Sequence, residues 1–358
     1  MEDIRPWLEA LVAANGSDLH MKAGSSPRIR VDGNLNGLEA PPLDPAAISR
    51  IVEAIVRPDL AEEFKRIGEI DFAYSLPGVG RFRVNAFRQR GSVGLVLRRV
   101  QIGAVSAPEL GLPPVITRLA EEPRGLVLVT GPTGSGKTTT LAAMIDHINT
   151  NKAVHVVTIE DPIEVLHADK LGMINQREVR VDTRDFPTAV RAAMRQDPDV
   201  VLIGEMRDTE TVAAALSAAE TGHFVLSTLH TTDAAETVNR CIDFFPPFQQ
   251  RQVRLSLAAS LRGVVSQRLV RRKDGEGRVA VLEVLVGTGR TAEAIADPER
   301  TNELHALIEE GGFYGMQTFD QHLIALFRDG LVTLDDAVAA SSNPHDFRLS
   351  LRNHGLVA

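Results

Sequence analysis

One stretch constrains this chain more than any other. The apolar run Leu126-Val127-Leu128-Val129-Thr130 feeds directly into Gly131-Pro132-Thr133-Gly134-Ser135-Gly136-Lys137-Thr138-Thr139. The run has the length and β-branched content of a strand buried on both faces. The glycines and Pro132 end it, and a helical pattern over 137–149 follows. A strand, a glycine-rich turn and a helix in that order match G-x-x-x-x-G-K-S/T. Glycines there let backbone N–H groups curl around phosphate oxygens, the lysine brings positive charge to the β and γ phosphates, and the next hydroxyl offers Mg²⁺ an oxygen. The helix N-terminus adds its partial positive charge. Gly131, Pro132, Thr133, Gly134, Ser135, Gly136, Lys137, Thr138 and Thr139 are therefore the expected nucleotide-binding residues. ATP and Mg²⁺ are the expected cofactors, with Thr138 a metal ligand.

Such a loop hangs from a sheet, and the flanking sequence supplies one. From Gly125 onward apolar strands alternate with helices, which predicts an α/β core whose parallel sheet is covered on both faces. Strands are expected at 126–130, 154–159, 200–204 and 224–229, and helices at 137–149, 186–196 and 209–221. After residue 246 come further helices, a strand pair over 264–270 and 278–286, and a helical tail. The preceding part reads differently. A helical segment near 4–14 leads to short strands at 18–22 and 28–31, helices near 45–57 and 59–67, and a meander over 70–76, 81–88 and 93–100. Arg81-Phe82-Arg83-Val84-Asn85-Ala86 alternates polar and apolar, as a half-buried strand does. The expected organisation is an α+β domain over 1–102, a Gly/Pro-rich linker over 103–114 and the P-loop domain over 115–358.

Open α/β sheets place ligands beyond the carboxyl ends of their strands, and P-loop chemistry needs carboxylates there for Mg²⁺ and water. Thr158-Ile159-Glu160-Asp161-Pro162-Ile163-Glu164 ends one strand, with Pro162 stopping its continuation. Glu160, Asp161 and Glu164 are thus candidate catalytic carboxylates. A second apolar strand runs Val200-Val201-Leu202-Ile203 into Gly204-Glu205, so its acid comes one residue late, after a glycine. Glu205 is the candidate that contacts Mg²⁺ through water. His223 and His230 flank the strand at 224–229, and on a regular strand their spacing puts them on opposite faces. They are not expected to share a metal. His230, at the carboxyl end, is placed to sense the γ-phosphate, whereas His223 reads as structural.

Composition removes several classes of function. The net charge of −8 is opposite to the basic footprint of nucleic-acid binding, so no nucleic acid is expected. The single cysteine, Cys241, allows neither an intrachain disulfide nor a multi-cysteine metal site, and its apolar neighbourhood reads as core. The start Met1-Glu2-Asp3 has no apolar signal region, and no apolar run nears the roughly 20 residues that span a bilayer. The expectation is a cytoplasmic protein without direct membrane insertion.

Together these motifs resemble those of the secretion and pilus-motor ATPases, and most closely the PilT family of type IV pilus retraction ATPases. The likeness is carried by GPTGSGKTTTLAAM at 131–144, TIEDPIE at 158–164, DPDVVLIGEMRD at 197–208 and ETGHFVLSTLHTT at 220–232. It extends to SDLHMKAG at 17–24, PRIRVDG at 27–33, GRFRVNAFRQRG at 80–91 and GMQTFDQ at 315–321. The resemblance implies a homo-hexameric ring of units, each with an N-terminal PAS-like domain and a RecA-like core. ATP would lie between the two domains. It implies that Glu160 to Glu164 supply the water-activating carboxylate, that Glu205 supports Mg²⁺ and that His230 reads nucleotide state. Arg81 and Arg83 would reach toward the phosphates; a solvated strand face is the alternative for both. It further implies work on an inner-membrane pilus platform protein, at the inner face of the cytoplasmic membrane at the pilus base. The stretch 288–297 lacks the Ala-Ile-Arg-containing helix of retracting members, and the C-terminal stretch has a flavour of the auxiliary PilU paralogue, so an auxiliary motor beside a paralogous ATPase stays open. Pilus-assembly and type II secretion ATPases share the core but usually add a four-cysteine zinc insertion. A nucleotide-gated scaffold and a nucleic-acid translocase are the further alternatives.

Overall fold

The computed structural model describes residues 4–357, so the acidic start Met1-Glu2-Asp3 lies outside the described residues. The chain forms two compact units, Met1–Ile102 with Glu164–Leu166, and Gly103–Ile163 with His167–Ala358.

In the first unit, α1 (Arg5–Ala13), α2 (Pro45–Ile55) and α3 (Pro58–Ile67) accompany β1 (Asp18–Lys22), β2 (Arg28–Val31), β3 (Asn34–Gly37), β4 (Glu69–Leu76), β5 (Gly80–Gln89) and β6 (Ser92–Arg99). The six strands form an antiparallel sheet in the order β3-β2-β1-β6-β5-β4. Alternation decides which face is covered. Leu19, Ile29, Phe72, Phe82, Val84, Leu95 and Leu97 are buried in one cluster with Leu8 and Leu11 of α1 and Ile48 and Ile51 of α2. The intervening residues, among them Asp18, Arg83 and Arg98, take the other face. There Asp18 pairs in register with Arg98, and Arg98 with Arg83. The buried Asp18 carboxylate accepts from Arg98 Nε at 2.8 Å and Ser17 Oγ at 2.7 Å. Burial pushes its pKa up, but these bonds outweigh burial and hold it below the usual carboxylate range. A short parallel pair, β7 (Gln101–Ile102) with β10 (Val165–Leu166), completes the unit.

The second unit starts with α4 (Pro114–Ala120), then alternates β8 (Gly125–Thr130), α5 (Lys137–Asn151), β9 (His155–Glu160), β11 (Met173–Glu178), α6 (Phe186–Ala193), β12 (Val200–Ile203), α7 (Thr209–Glu220) and β13 (Phe224–Leu229). Next come α8 (Ala234–Asp243), α9 (Pro247–Ser260), β14 (Leu261–Arg271), β15 (Arg278–Val286), α10 (Gly289–Ala296) and α11 (Leu304–Glu310). The chain ends in α12 (Phe319–Arg328), α13 (Leu334–Ala340) and α14 (Pro344–Asn353). The sheet has seven strands in the order β11-β9-β12-β13-β8-β14-β15, all parallel except β15. Every residue of β8, β12 and β13 is buried, as the continuous apolar runs required. One face packs on α6, α7 and α8 through Leu128, Ile159, Val201 and Val225, and the other on α4 and α5 through Val127, Val129, Val156 and Leu226. The mixed α/β fold read from the sequence is thus the fold of the molecule.

Several elements differ from the sequence reading. The edge strand β11 was not foreseen, because Met173-Ile174-Asn175-Gln176-Arg177-Glu178 is polar: an edge strand buries only part of its length. Helix α6 stops at Ala193, before the expected Gln196, and Asp197 just beyond it adopts φ 53°. Cys241 lies in α8, fully buried, and burial pushes its thiol up to about 12, so it is an inert core residue.

Candidate functional site

Four strands of the parallel sheet, β8, β9, β12 and β13, deliver their carboxyl ends side by side. The helix that follows each of three connections is closed by an aspartate. Asp185 accepts from the Thr188 N–H at the start of α6, Asp208 from that of Thr211 at α7, and Asp233 from that of Glu236 at α8. Helix α5 is the exception: it starts at Gly136, at φ 91°, with no side-chain cap. Its first-turn N–H groups are therefore left for an external acceptor, and an anion suits them. Ser135, within the loop, is only 4% exposed and its hydroxyl has no partner. A buried, orphaned hydroxyl beside uncapped N–H groups is what a phosphate-binding loop leaves open for its ligand.

The charged side chains gather on this loop. Lys137 Nζ donates to the carbonyls of Gly131 at 2.7 Å and Pro132 at 3.1 Å, and lies 3.5 Å from His230 Nδ1. His230 Nε2 is 3.2 Å from Glu205 Oε1. An ammonium can only donate and a carboxylate only accept, so the neutral imidazole with its proton on Nε2 satisfies both neighbours. Glu205 Oε2 accepts from Arg207 Nη2 at 2.8 Å. Burial raises the Glu205 carboxyl, but Arg207 and His230 together overcome that and hold it below the ordinary range. Arg207 Nη1 also lies 3.8 Å from Asp161 Oδ2, the oxygen that Arg180 Nη2 approaches at 3.9 Å.

The sequence-predicted residues divide in two. Gly131 to Thr139, Asp161, Glu205 and His230 belong to this carboxyl-end cluster. Glu160, the last residue of β9, is buried; its carboxylate accepts from Thr158 Oγ1 at 2.6 Å and Gln176 Nε2 at 3.1 Å. Glu164 belongs with the first unit, where its Oε1 lies 3.9 Å from Arg83 Nη1. Arg81 in the same sheet has its Nη1 3.5 Å from Ser75 Oγ. His223 sits in the turn before β13, its Nδ1 3.1 Å from the Ala218 carbonyl, in keeping with a structural role. Sequence reasoning passed over Arg207 and Arg180. Arg207 was visible as a cation two residues beyond the acid of a strand end, but nothing in the one-dimensional pattern said that it pairs with two carboxylates.

Mg²⁺ usually keeps several waters and takes few protein oxygens beside those of a phosphate. Among the described residues no group of three or more His, Cys, Asp or Glu is arranged to hold a metal. The Thr138 hydroxyl and the Glu205 carboxylate are hard oxygen donors that fit the smaller demand.

Known proteins give the cluster a lineage. The family model "Type II/IV secretion system protein" matches residues 1–320. The chain is 45% identical over 345 residues to the type IV pilus retraction ATPase PilT of Pseudomonas aeruginosa, covering 96% of this chain and 100% of that one. It is 41% identical to the type IV pilus ATPase PilU of the same organism, covering 96% of this chain and 90% of that one. Among solved structures, the crystal structure of the pilus retraction motor PilT with bound ADP superposes with a TM-score of 0.87 at 42% identity, covering 97% of this chain and 99% of the other. The uncapped helix, the orphaned serine and the Lys137–His230–Glu205 line thus lie in a chain that belongs to the type II/IV secretion system protein family.

Proposed function

We propose that this chain is an ATPase that drives type IV pilus retraction and hence twitching motility. The observation that carries the reading is the line Lys137–His230–Glu205 at the mouth of an uncapped helix. Its setting supports the reading too, since the chain is 45% identical to a retraction ATPase along nearly its whole length. In this reading the uncapped N–H groups of α5 and Lys137 hold the β and γ phosphates; Thr138 would ligate Mg²⁺, and Glu205 would contact it through water. Hydrolysis forms a bond between a water oxygen and the γ-phosphorus and breaks the bond to the bridging oxygen, which leaves with ADP. The water's proton passes to a carboxylate of the strand ends, Glu160 or Asp161, with Glu164 the remaining candidate. His230 couples phosphate loss to Glu205, because it touches the lysine on one side and the acid on the other. Arg81 and Arg83 add positive charge to turnover.

The working assembly in this proposal is a homo-hexamer at the cytoplasmic face of the inner membrane, gripping a platform protein of the pilus base. The domain assignment 1–102, 103–114 and 115–358, with a PAS-like and a RecA-like part, belongs to the same proposal. Among the described residues no helix is long and apolar enough to cross a membrane; in this proposal the platform protein provides the attachment. A second reading, an auxiliary motor working beside a paralogue, has one specific support: the 41% identity to PilU over the same span. Deletion decides between them. Hyperpiliated cells that cannot twitch, restored by the parent gene and not by a Lys137→Ala copy, are expected for the retraction motor. Twitching left intact unless a paralogue is also removed assigns the auxiliary role, and normal piliation with normal twitching in both strains rejects the pilus altogether.

A further inference from the structure

We propose that Gln267 is a positioning residue of the phosphate loop, holding both of its ends against β14. The proposal rests on reading Gly131 to Thr139 as the nucleotide site. Strand β14 runs parallel to β8, pairing Val265 with Val129 and Ser266 with Thr130. The pairing brings Ser266 Oγ to 3.0 Å from Thr130 Oγ1, at the last residue before the loop. Gln267 comes next, where β8 has already turned into the loop.

Three contacts follow from that placement. At the loop's start, the Gln267 carbonyl oxygen occupies the space of a side chain: a Cβ on Gly131 would lie 2.3 Å from it. At the loop's end, Gln267 Nε2 does the same, 2.6 Å from where a Cβ on Gly136 would be. Both glycines have positive φ, 138° and 91°, so the tight turn and the close approach require glycine together. In the first turn of α5, Thr140 Oγ1 donates to Gln267 Oε1 at 2.7 Å. Thr140 and Gln267 are both buried, so no water replaces that bond when it is lost.

One residue therefore meets the first glycine through its backbone carbonyl, while its neutral side chain touches the last glycine and the first turn of the helix whose N–H groups receive the anion. Its amide suits the place. A glutamate would put a negative charge behind the phosphates, and a leucine would leave Thr140 without its acceptor. The loop's N–H groups serve an anion only when they point inward together, and pre-set geometry is what lowers the ordering cost of binding. Gln267 touches the loop from behind, so it acts on phosphate through loop geometry and not by contact with substrate.

The test reads binding of a fluorescent ADP analogue to the full chain in Mg²⁺-free buffer, with thermal unfolding measured with and without ADP. Gln267→Met and Thr140→Val are each expected to weaken ADP binding about tenfold, the size of one lost buried hydrogen bond. The double variant is expected to be little worse than either single one, because one contact is removed twice. Thr140→Ser, which keeps the hydroxyl, is expected to bind within about twofold of the parent. Should Gln267→Met fail to fold, Thr140→Val and Thr140→Ser carry the same comparison. Parent-like ADP affinity in the folded Gln267 and Thr140→Val variants, with stability lowered equally with and without ADP, assigns them packing alone and overturns the proposal. Lys137→Ala separates the two levels. If it loses ADP while the Gln267 and Thr140 variants keep it, the positioning role fails alone; if it binds normally, the site reading itself fails.

Discussion

The two large sheets of the described residues are close in size and opposite in design. The six-stranded sheet of the first unit is antiparallel, and its apolar cluster lies on one face. The seven-stranded sheet of the second is parallel in all but one strand and packed on both faces. Strand direction decides where chemistry can sit. In the parallel sheet four carboxyl ends converge, so Lys137, Asp161, Glu205 and His230 meet although the sequence scatters them. In the antiparallel sheet neighbouring ends alternate, so polar residues collect on a face instead, as Asp18, Arg83 and Arg98 do. Buried parallel strands make a rigid platform with an edge of free loops, and a half-covered antiparallel sheet offers a surface.

Removing the lysine strikes the parallel sheet's edge at its centre. Lys137→Ala is expected to lower nucleotide affinity at least about 100-fold, the loss of a charge-assisted phosphate contact in a partly dry site. Isothermal titration with ADP measures it, and retention of affinity would remove the loop from the site. Glu205→Gln comes next. It keeps shape but removes the charge that Arg207 and His230 stabilise, so turnover is expected to fall about 100-fold while ADP binding stays within a few-fold. Turnover at the parent rate would take Glu205 out of the chemistry.

The same contrast explains what was legible in the sequence. The buried strands β8, β12 and β13 announce themselves as mostly apolar runs ended by a glycine or, for β13, by His230, because burial on both faces leaves little room for polar residues. Strand β5 is equally plain, since burial on one face forces Arg81-Phe82-Arg83-Val84 to alternate. The edge strand β11 is not, as it satisfies neither pattern. In the site, residues fixed by local chemistry were readable: the loop glycines, Lys137, and acids standing at strand ends. Residues fixed by contacts across the sheet were not. Arg207 earns its place through Asp161 and Glu205, and Gln267 through a loop more than a hundred residues away in sequence.

Acid probes the closed edge of the parallel sheet. His322 on α12 is buried and its Nδ1 accepts the Leu282 N–H of β15 at 2.9 Å. Burial drives its pKa down to about 4 from 6.5, so it is neutral in the fold. Below the ordinary histidine range the unfolded chain takes up a proton that the folded chain refuses. Stability from this group is therefore complete above about pH 6.5 and is lost as pH falls toward 4, roughly 2 kcal/mol of it by pH 5. His322→Asn keeps an acceptor for Leu282 and removes the proton site, so its acid loss is expected to be smaller by that amount. Chemical denaturation at pH 7 and pH 5 measures the difference, and equal losses in parent and variant would place the acid sensitivity elsewhere.

The smallest expected effect asks whether the antiparallel sheet takes part in turnover at all. Arg83 stands on its polar face, about two-fifths exposed, with the Glu164 carboxylate 3.9 Å away. An exposed pair at that distance contributes little to stability, so truncation leaves the fold intact. If Arg83 lends charge to the transition state, as we propose, Arg83→Ala is expected to lower kcat about tenfold and to leave nucleotide affinity within twofold. That split marks an interaction made as charge develops and not in the ground state. Arg83→Lys keeps the charge without the planar fork and is expected to fall between the two. An unchanged kcat in Arg83→Ala would return the residue to a solvated strand face and leave the parallel sheet to do the chemistry by itself.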